Sequence, residues 1–344
     1  MDRCMTLPNP TSSTPPAAPT GNALGVTPPK RPPRDFAKDR AALTLVKLIH
    51  LIANALPEST ARTFGRTLGH LIWKFDKRHR KQILRHMDIA FRDEVTREQK
   101  EAWCRGNFEH VGLSLVEFAR MGKLTRENLS QTVDLSETKV FTELMEQTPG
   151  KGFLIVPCHH GNWELCGCAV SLQGFPINTV VRPLDNPQIN QLVTEWREAS
   201  GHEIIHKWQV LWKLKKLIDA GKLVTIIIDQ NGGVGGTFVP VFNTLASTVA
   251  SPAELHLVSR VPIVVVSMNR LADGIHHKLH VWDVIKHEKT GNHEADVREV
   301  LTRINKAYEK AIRAYPEQWL WVHRRWKTRP PGETPLPDGL PPQI

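Results

Sequence analysis

Apolar and polar positions change their period twice along the chain. Residues 1–34 are mostly Pro, Thr, Ser and Ala and end in Lys30, Arg31 and Arg34. Such a stretch buries too little apolar surface to offset its ordering entropy, so a disordered, Pro-rich basic tail is expected over 1–38. Residues 41–56, AALTLVKLIHLIANAL, are the first apolar run. Crossing a bilayer takes about 20 apolar residues, and a Lys near the centre, here Lys47, costs about 2.5–3.5 kcal/mol. On a helical wheel Thr44, Lys47, His50 and Asn54 share one arc, and the leucines and isoleucines take the rest. The pattern predicts a helix lying on a membrane rather than through it. Residues 60–120 also read as helical and carry the run Lys77-Arg-His-Arg-Lys81, then Arg85. A run of this kind attracts anionic lipid, or is a solvated helix face. Together 39–82 are expected to form a helical membrane-associating region.

From Gly152 the period shortens. Residues 153–157, 177–181, 223–228 and 262–266 are short apolar runs, and 277–284 alternates. Between them, 186–200, 208–221, 251–260 and 294–314 keep helical spacing. Apolar strands separated by helices predict an α/β domain over 83–328, a mostly parallel sheet flanked by helices. A loose Pro-rich tail is expected over 329–344.

Composition narrows the function classes. The chain has 344 residues and a formal net charge of +10, which suits an acidic partner. Its five cysteines (Cys4, Cys104, Cys158, Cys166, Cys168) are too few for a disulfide framework and are expected to be reduced thiols. The N-terminus has no compact apolar stretch of the kind a secretory signal carries.

The segment richest in chemistry is residues 153–167, FLIVPCHHGNWELCG. An apolar strand leads into two histidines, and ligands of open α/β sheets bind beyond the carboxyl ends of strands. His159 and Glu164 are five apart and would diverge on one continuous helix. They can meet if His159 precedes the helix and Glu164 opens it, with Gly161 and Asn162 making the bend. A carboxylate on the imidazole Nδ1–H would fix the tautomer and leave Nε2 to take a proton. Either His159 or His160 could be the base, and the spacing favours His159. The bare spacing is weak, because 16 His and 35 acidic residues give one or two chance matches; strand, His, Gly-Asn-Trp and acid together carry the weight.

On those residues the sequence resembles the bacterial lipid A late acyltransferases and the related acyltransferases of phosphatidylinositol mannoside synthesis. Many of these read His-Ser-Gly-Asn-Trp-Asp/Glu; this chain reads His159-His-Gly-Asn-Trp-Glu164. Further blocks follow in order. Val181-Arg-Pro-Leu-Asp-Asn186 looks like Arg-Pro-x-x-Asn, and Arg197-Glu-Ala-Ser-Gly201 like Arg-x-x-x-Gly. Asp229-Gln-Asn-Gly-Gly233 with Phe238-Val-Pro-Val-Phe242 resembles Asp-Gln-Asp with Phe-Val-Pro-Phe-Phe. Pro316-Glu-Gln-Trp-Leu-Trp-Val-His-Arg-Arg-Trp-Lys327 resembles the C-terminal block. His160 stands where Ser is frequent, Asn231 where Asp is expected, and the first apolar segment is shorter and more polar than the usual anchor.

The resemblance implies acyl transfer from a thioester of acyl carrier protein or coenzyme A to a hydroxyl of a lipid A precursor or related glycolipid. A lysophospholipid is the alternative acceptor. The place implied is the cytoplasmic face of a bacterial inner membrane, against an anionic membrane surface. His159 would be the base and Glu164 its orienting acid. Arg182, Arg197, Asp229, Gln230 and Asn162 would contact substrate. No metal, cofactor or nucleic acid is expected. Two other enzyme-site readings remain: a hydrolase using Cys158, and a metal site from His159, His160, Cys166 and Cys168. A basic, non-enzymatic membrane-binding module is the third.

Overall fold

The computed structural model describes residues 35–206 and 211–344. Of the tail expected over 1–38, residues 1–34 lie outside those residues, as does the start of the helix expected at 208; residues 36–38 are not tail but the first turn of a helix, capped by Asp35. Four helices lead: α1 (Phe36–Ala55), α2 (Glu58–Phe75), α3 (Lys77–Phe91) and α4 (Arg97–Ala119). Side chains stop and start them. Asp35 caps α1 by accepting from Lys38 N–H, and Asp76 does the same for α3 from His79 N–H. Thr96 and Gln99 form a reciprocal capping box on α4. Helices α2 and α4 touch backbone to backbone at Gly69 and Gly112. A methyl group on Gly69 would lie 2.3 Å from the Phe108 carbonyl oxygen, so only glycine fits there.

The α/β unit follows as β1 (Val133–Asp134), α5 (Lys139–Gln147), β2 (Leu154–Gly161), α6 (Trp163–Leu172), β3 (Ile177–Val181), α7 (Pro187–Glu198), β4 (Glu203–His206), α8 (Leu211–Asp219), β5 (Leu223–Thr225), the hairpin β6 (Thr237–Val241) and β7 (Thr244–Thr248), α9 (Ser251–Ser259), β8 (Ile263–Arg270), β9 (His277–Ile285) and α10 (His293–Ala314). The seven-stranded sheet runs β1-β9-β8-β2-β5-β3-β4. Every neighbouring pair is parallel except β8–β9. The α/β class and the mostly parallel sheet are therefore as the periodicity predicts.

Strands β2 and β8 are buried almost throughout, which is why both read as unbroken apolar runs. Strand β2 continues past Pro157 to Gly161, so both histidines lie in the strand rather than after it. Pro157 donates no hydrogen bond, and the β2–β8 register shifts between Pro157 and Gly161. Gly161 has φ +64°, and a methyl group there would lie 1.9 Å from the Met268 carbonyl oxygen. This glycine turns the chain; Asn162 then caps α6 by accepting from Leu165 N–H. Residues 329–344, expected to be loose, are tied down. Arg329 pairs with Glu333 and Arg85 donates to the Gly339 carbonyl, while Ile344 N–H reaches the Asn243 carbonyl.

Candidate active site

The parallel register of β2 and β5 builds the centre. Leu154 lies opposite Val224 and Ile155 opposite Thr225, and Ile226 N–H still donates to the Ile155 carbonyl. Carried four residues further, that offset of 70 sets His159 beside Asp229. His159 Nδ1 is 2.7 Å from Asp229 Oδ1, and His159 N–H donates to Oδ2 at 2.8 Å. Trp319 Nε1–H donates to the same Oδ2 at 2.8 Å. The carboxylate on the imidazole is thus Asp229 and not Glu164. With Nδ1–H donating to Asp229, Nε2 carries the free lone pair, and the imidazole keeps 17 % exposure.

Burial works against charge at both groups, and pairing overrides it. The Asp229 carboxyl is held well below the usual range by the adjacent His159 and by two ring N–H donors. The His159 imidazole is held above its ordinary value of 6.5 by Asp229 and, more weakly, by Glu164. The site is a base whose affinity for a proton is raised by a fixed anion.

Glu164 is the second residue of α6 and turns to α7. Its carboxylate is bidentate to Arg197, with Nε to Oε2 at 2.9 Å and Nη2 to Oε1 at 2.6 Å, and Trp163 Nε1–H adds a donor at 3.1 Å. Burial opposes the charges, but each partner keeps the other ionised. The reason for the corrected pairing is geometric. His159 belongs to a strand whose lateral neighbour is the β5 chain, whereas Glu164 stands on a helix facing α7.

His160 is fully buried. Its Nε2–H donates to the Tyr315 carbonyl and its Nδ1 accepts from Asn269 Nδ2, each at 3.0 Å. Burial lowers its pKa to about 4. Both ring nitrogens are engaged by the fold, so the open base is His159. Asn162, expected at the substrate, is buried as the α6 cap and donates to Glu117 Oε2 at 2.8 Å. Glu117 in turn is paired with Arg270, so the turn after β2 hangs on a buried ion pair. Arg182 is at the surface, 59 % exposed, and pairs with Asp185 rather than reaching the centre.

Gln230 does reach it. Its Nε2 lies 3.4 Å from His159 Nε2 and 2.8 Å from His323 Nε2. His323 stacks edge-on to His159 with ring centroids 5.1 Å apart, and Trp163 does so from α6 at the same distance. His323 and Trp319 were visible in the sequence only as parts of the C-terminal block; the isolated bridge between His160 and Trp319 brings that block against β2.

Cys158 is fully buried, and burial with Asp229 nearby drives its thiol pKa well up. A nucleophile for a cysteine hydrolase is not exposed here. Among the described residues no group of three or more His, Cys, Asp or Glu is placed to hold a metal ion.

The family model for bacterial lipid A biosynthesis acyltransferases matches residues 34–328. The lipid A biosynthesis lauroyltransferase of Escherichia coli (strain K12) is 28 % identical over 279 residues, which cover 80 % of this chain and 88 % of that protein. The palmitoleoyltransferase of the same strain is 26 % identical over 288 residues, 82 % of this chain and 89 % of its own. A lipid A biosynthesis acyltransferase of Haemophilus influenzae is 24 % identical over 274 residues, 79 % and 84 %. The match spans the leading helices, the sheet and the block bearing His323, and this chain belongs to the bacterial lipid A biosynthesis acyltransferases.

Proposed function

We propose that the chain moves a fatty acyl group from a thioester of acyl carrier protein or coenzyme A to a hydroxyl of a lipid A precursor. The single observation that carries this is the His159–Asp229 pair, with an accessible, basic Nε2. His159 Nε2 takes the hydroxyl proton as the oxygen attacks the thioester carbonyl carbon. The tetrahedral intermediate collapses with cleavage of the carbon–sulfur bond, and the imidazolium returns its proton to the thiolate. Asp229 holds the tautomer and offsets the imidazolium charge. The Glu164–Arg197 pair walls the site and positions the acceptor, and the basic protein suits a phosphorylated acceptor or an acidic carrier.

The reaction takes place at a membrane surface in this reading, on the cytoplasmic face of the inner membrane. Leu45, Leu48 and Leu51 form an exposed stripe on α1, and Leu71 and Phe75 are exposed on α2. Lys74, Lys77, Arg78 and Lys81 follow at the α2–α3 corner. Each such charge contributes about 1 kcal/mol against anionic lipid. No described helix is long and apolar enough to cross a membrane, which fits attachment to one leaflet. Residues 39–82 would be the attachment region and 83–328 the catalytic domain.

The test is acyl transfer by the purified full chain. Both thioester types are offered against lipid A precursors and lysophospholipids, with His159→Ala alongside. Loss of roughly 10²–10⁴-fold in the variant supports the reading. Thioester hydrolysis that needs no acceptor and survives His159→Ala overturns it.

A further inference from the structure

The proton acceptor of the site has a partner, but the reacting carbonyl needs one too. Attack on a thioester places negative charge on an oxygen two bonds from the attacking atom. A donor about 2.7–3.1 Å from that oxygen would carry the transition state. Most donors around His159 are already committed. Trp319 Nε1–H and His159 N–H are on Asp229. Arg197 Nε and Nη2 are on Glu164. Arg325 is buried, with Nη1 on the Gln230 and Ser247 carbonyls and Nη2 on Thr248.

Gln230 is different. Its side-chain nitrogen has two hydrogens. One is used in a well-formed 2.8 Å bond to His323 Nε2. The other faces His159 Nε2 at 3.4 Å, beyond the range of a good N–H donor bond, and so remains available on the side where the reacting atoms gather. The residue is exposed, and its backbone carbonyl is gripped by Arg325. Resting on the acyl-transfer reading above, we propose that the Gln230 carboxamide donates to the developing oxyanion of the thioester, and that His323 is a positioning residue that holds the carboxamide in its donating orientation.

His323 can do this only as a neutral acceptor. Burial, and then the neighbouring His159, push its pKa down to about 4, so Nε2 keeps its lone pair at neutral pH. The protonated partner in the turnover is then His159 alone.

The experiment measures transfer from lauroyl-acyl carrier protein and from lauroyl-coenzyme A to a lipid A precursor, with folding of each variant checked by thermal melting. Gln230→Ala should lower kcat by roughly 10²–10³-fold with KM little changed. Gln230→Glu keeps the shape but replaces the donor with a negative acceptor, so it should be slower than Gln230→Ala. His323→Ala should lower kcat about tenfold, should cost nothing further in the Gln230→Ala background, and should be partly rescued by His323→Asn, whose side-chain carbonyl can accept. The proposal is overturned if Gln230→Glu is faster than Gln230→Ala, if either single variant changes KM alone, or if the two losses multiply. The two readings fail separately. Full activity in His159→Ala would remove the base, whereas a dead His159→Ala beside a fully active Gln230→Ala would remove only the oxyanion donor.

Discussion

Replacing Asp229 with Asn tests the core of the site with almost no change in shape. The carboxylate accepts three hydrogen bonds, from His159 N–H, His159 Nδ1–H and Trp319 Nε1–H. An amide in the same place has one accepting oxygen. If that oxygen keeps the backbone and Trp319 donors that share Oδ2, the amide NH₂ faces Nδ1. The imidazole must then present Nδ1 as acceptor and carry its proton on Nε2. The lone pair that would take the hydroxyl proton is gone, so the loss should approach the whole worth of a positioned base, roughly 10³–10⁴-fold in kcat. The pH profile supplies the second reading. Because the imidazole pKa is held above 6.5, wild-type kcat/KM should rise with pH through a midpoint above 6.5. In Asp229→Asn the residual activity should rise at lower pH, since the anion that favoured protonation is lost. Stopped-time assays of thiol release across roughly pH 5–9, which brackets the titration of a histidine, check both. A variant within tenfold of wild type, with an unmoved midpoint, would refute the assignment of Asp229.

Two further substitutions separate structure from chemistry. Glu164→Gln leaves the half-buried Arg197 without its counter-ion; breaking a fully buried pair costs about 3–5 kcal/mol, and the partial exposure here makes the loss smaller; the thermal midpoint should fall, and the pH midpoint should move less than in Asp229→Asn. Cys158→Ala removes a buried thiol that makes none of the hydrogen bonds described at the site, so transfer should persist at near the wild-type rate; a dead but folded variant would restore the cysteine-hydrolase reading.

How far the sequence reaches can be seen in three places. The run at 177–181 became β3 with the same bounds, because Ile177, Thr179, Val180 and Val181 are β-branched and the run is framed by a turn and by Pro183. Helix α10 and the expected 294–314 differ by one residue at the start, where Asn292 caps it. Strand β4 and the hairpin β6–β7 were not read from the period: β4 has four residues, and the hairpin turns on Phe242 and Asn243 at positive φ, where Asn is common but Phe is not. Within the site, His159 was legible because strand, glycine turn and helix cap are neighbours in the chain. Its partner was not, because the five-residue spacing to Glu164 is a local signal and the pairing that forms is lateral.

The sequence alone determined the alternation of apolar strands and helices, the glycine-asparagine turn after β2 and the family to which those blocks point, since all of these are set by residues close together in the chain. Only the tertiary structure decided which carboxylate serves His159, that Glu164 serves Arg197 instead, and that His323 stands over the base. Those contacts join residues 70, 33 and 164 positions apart. Parallel pairing of β2 with β5 and the docking of the C-terminal block on β2 bring them together, and no local periodicity encodes a register between distant strands.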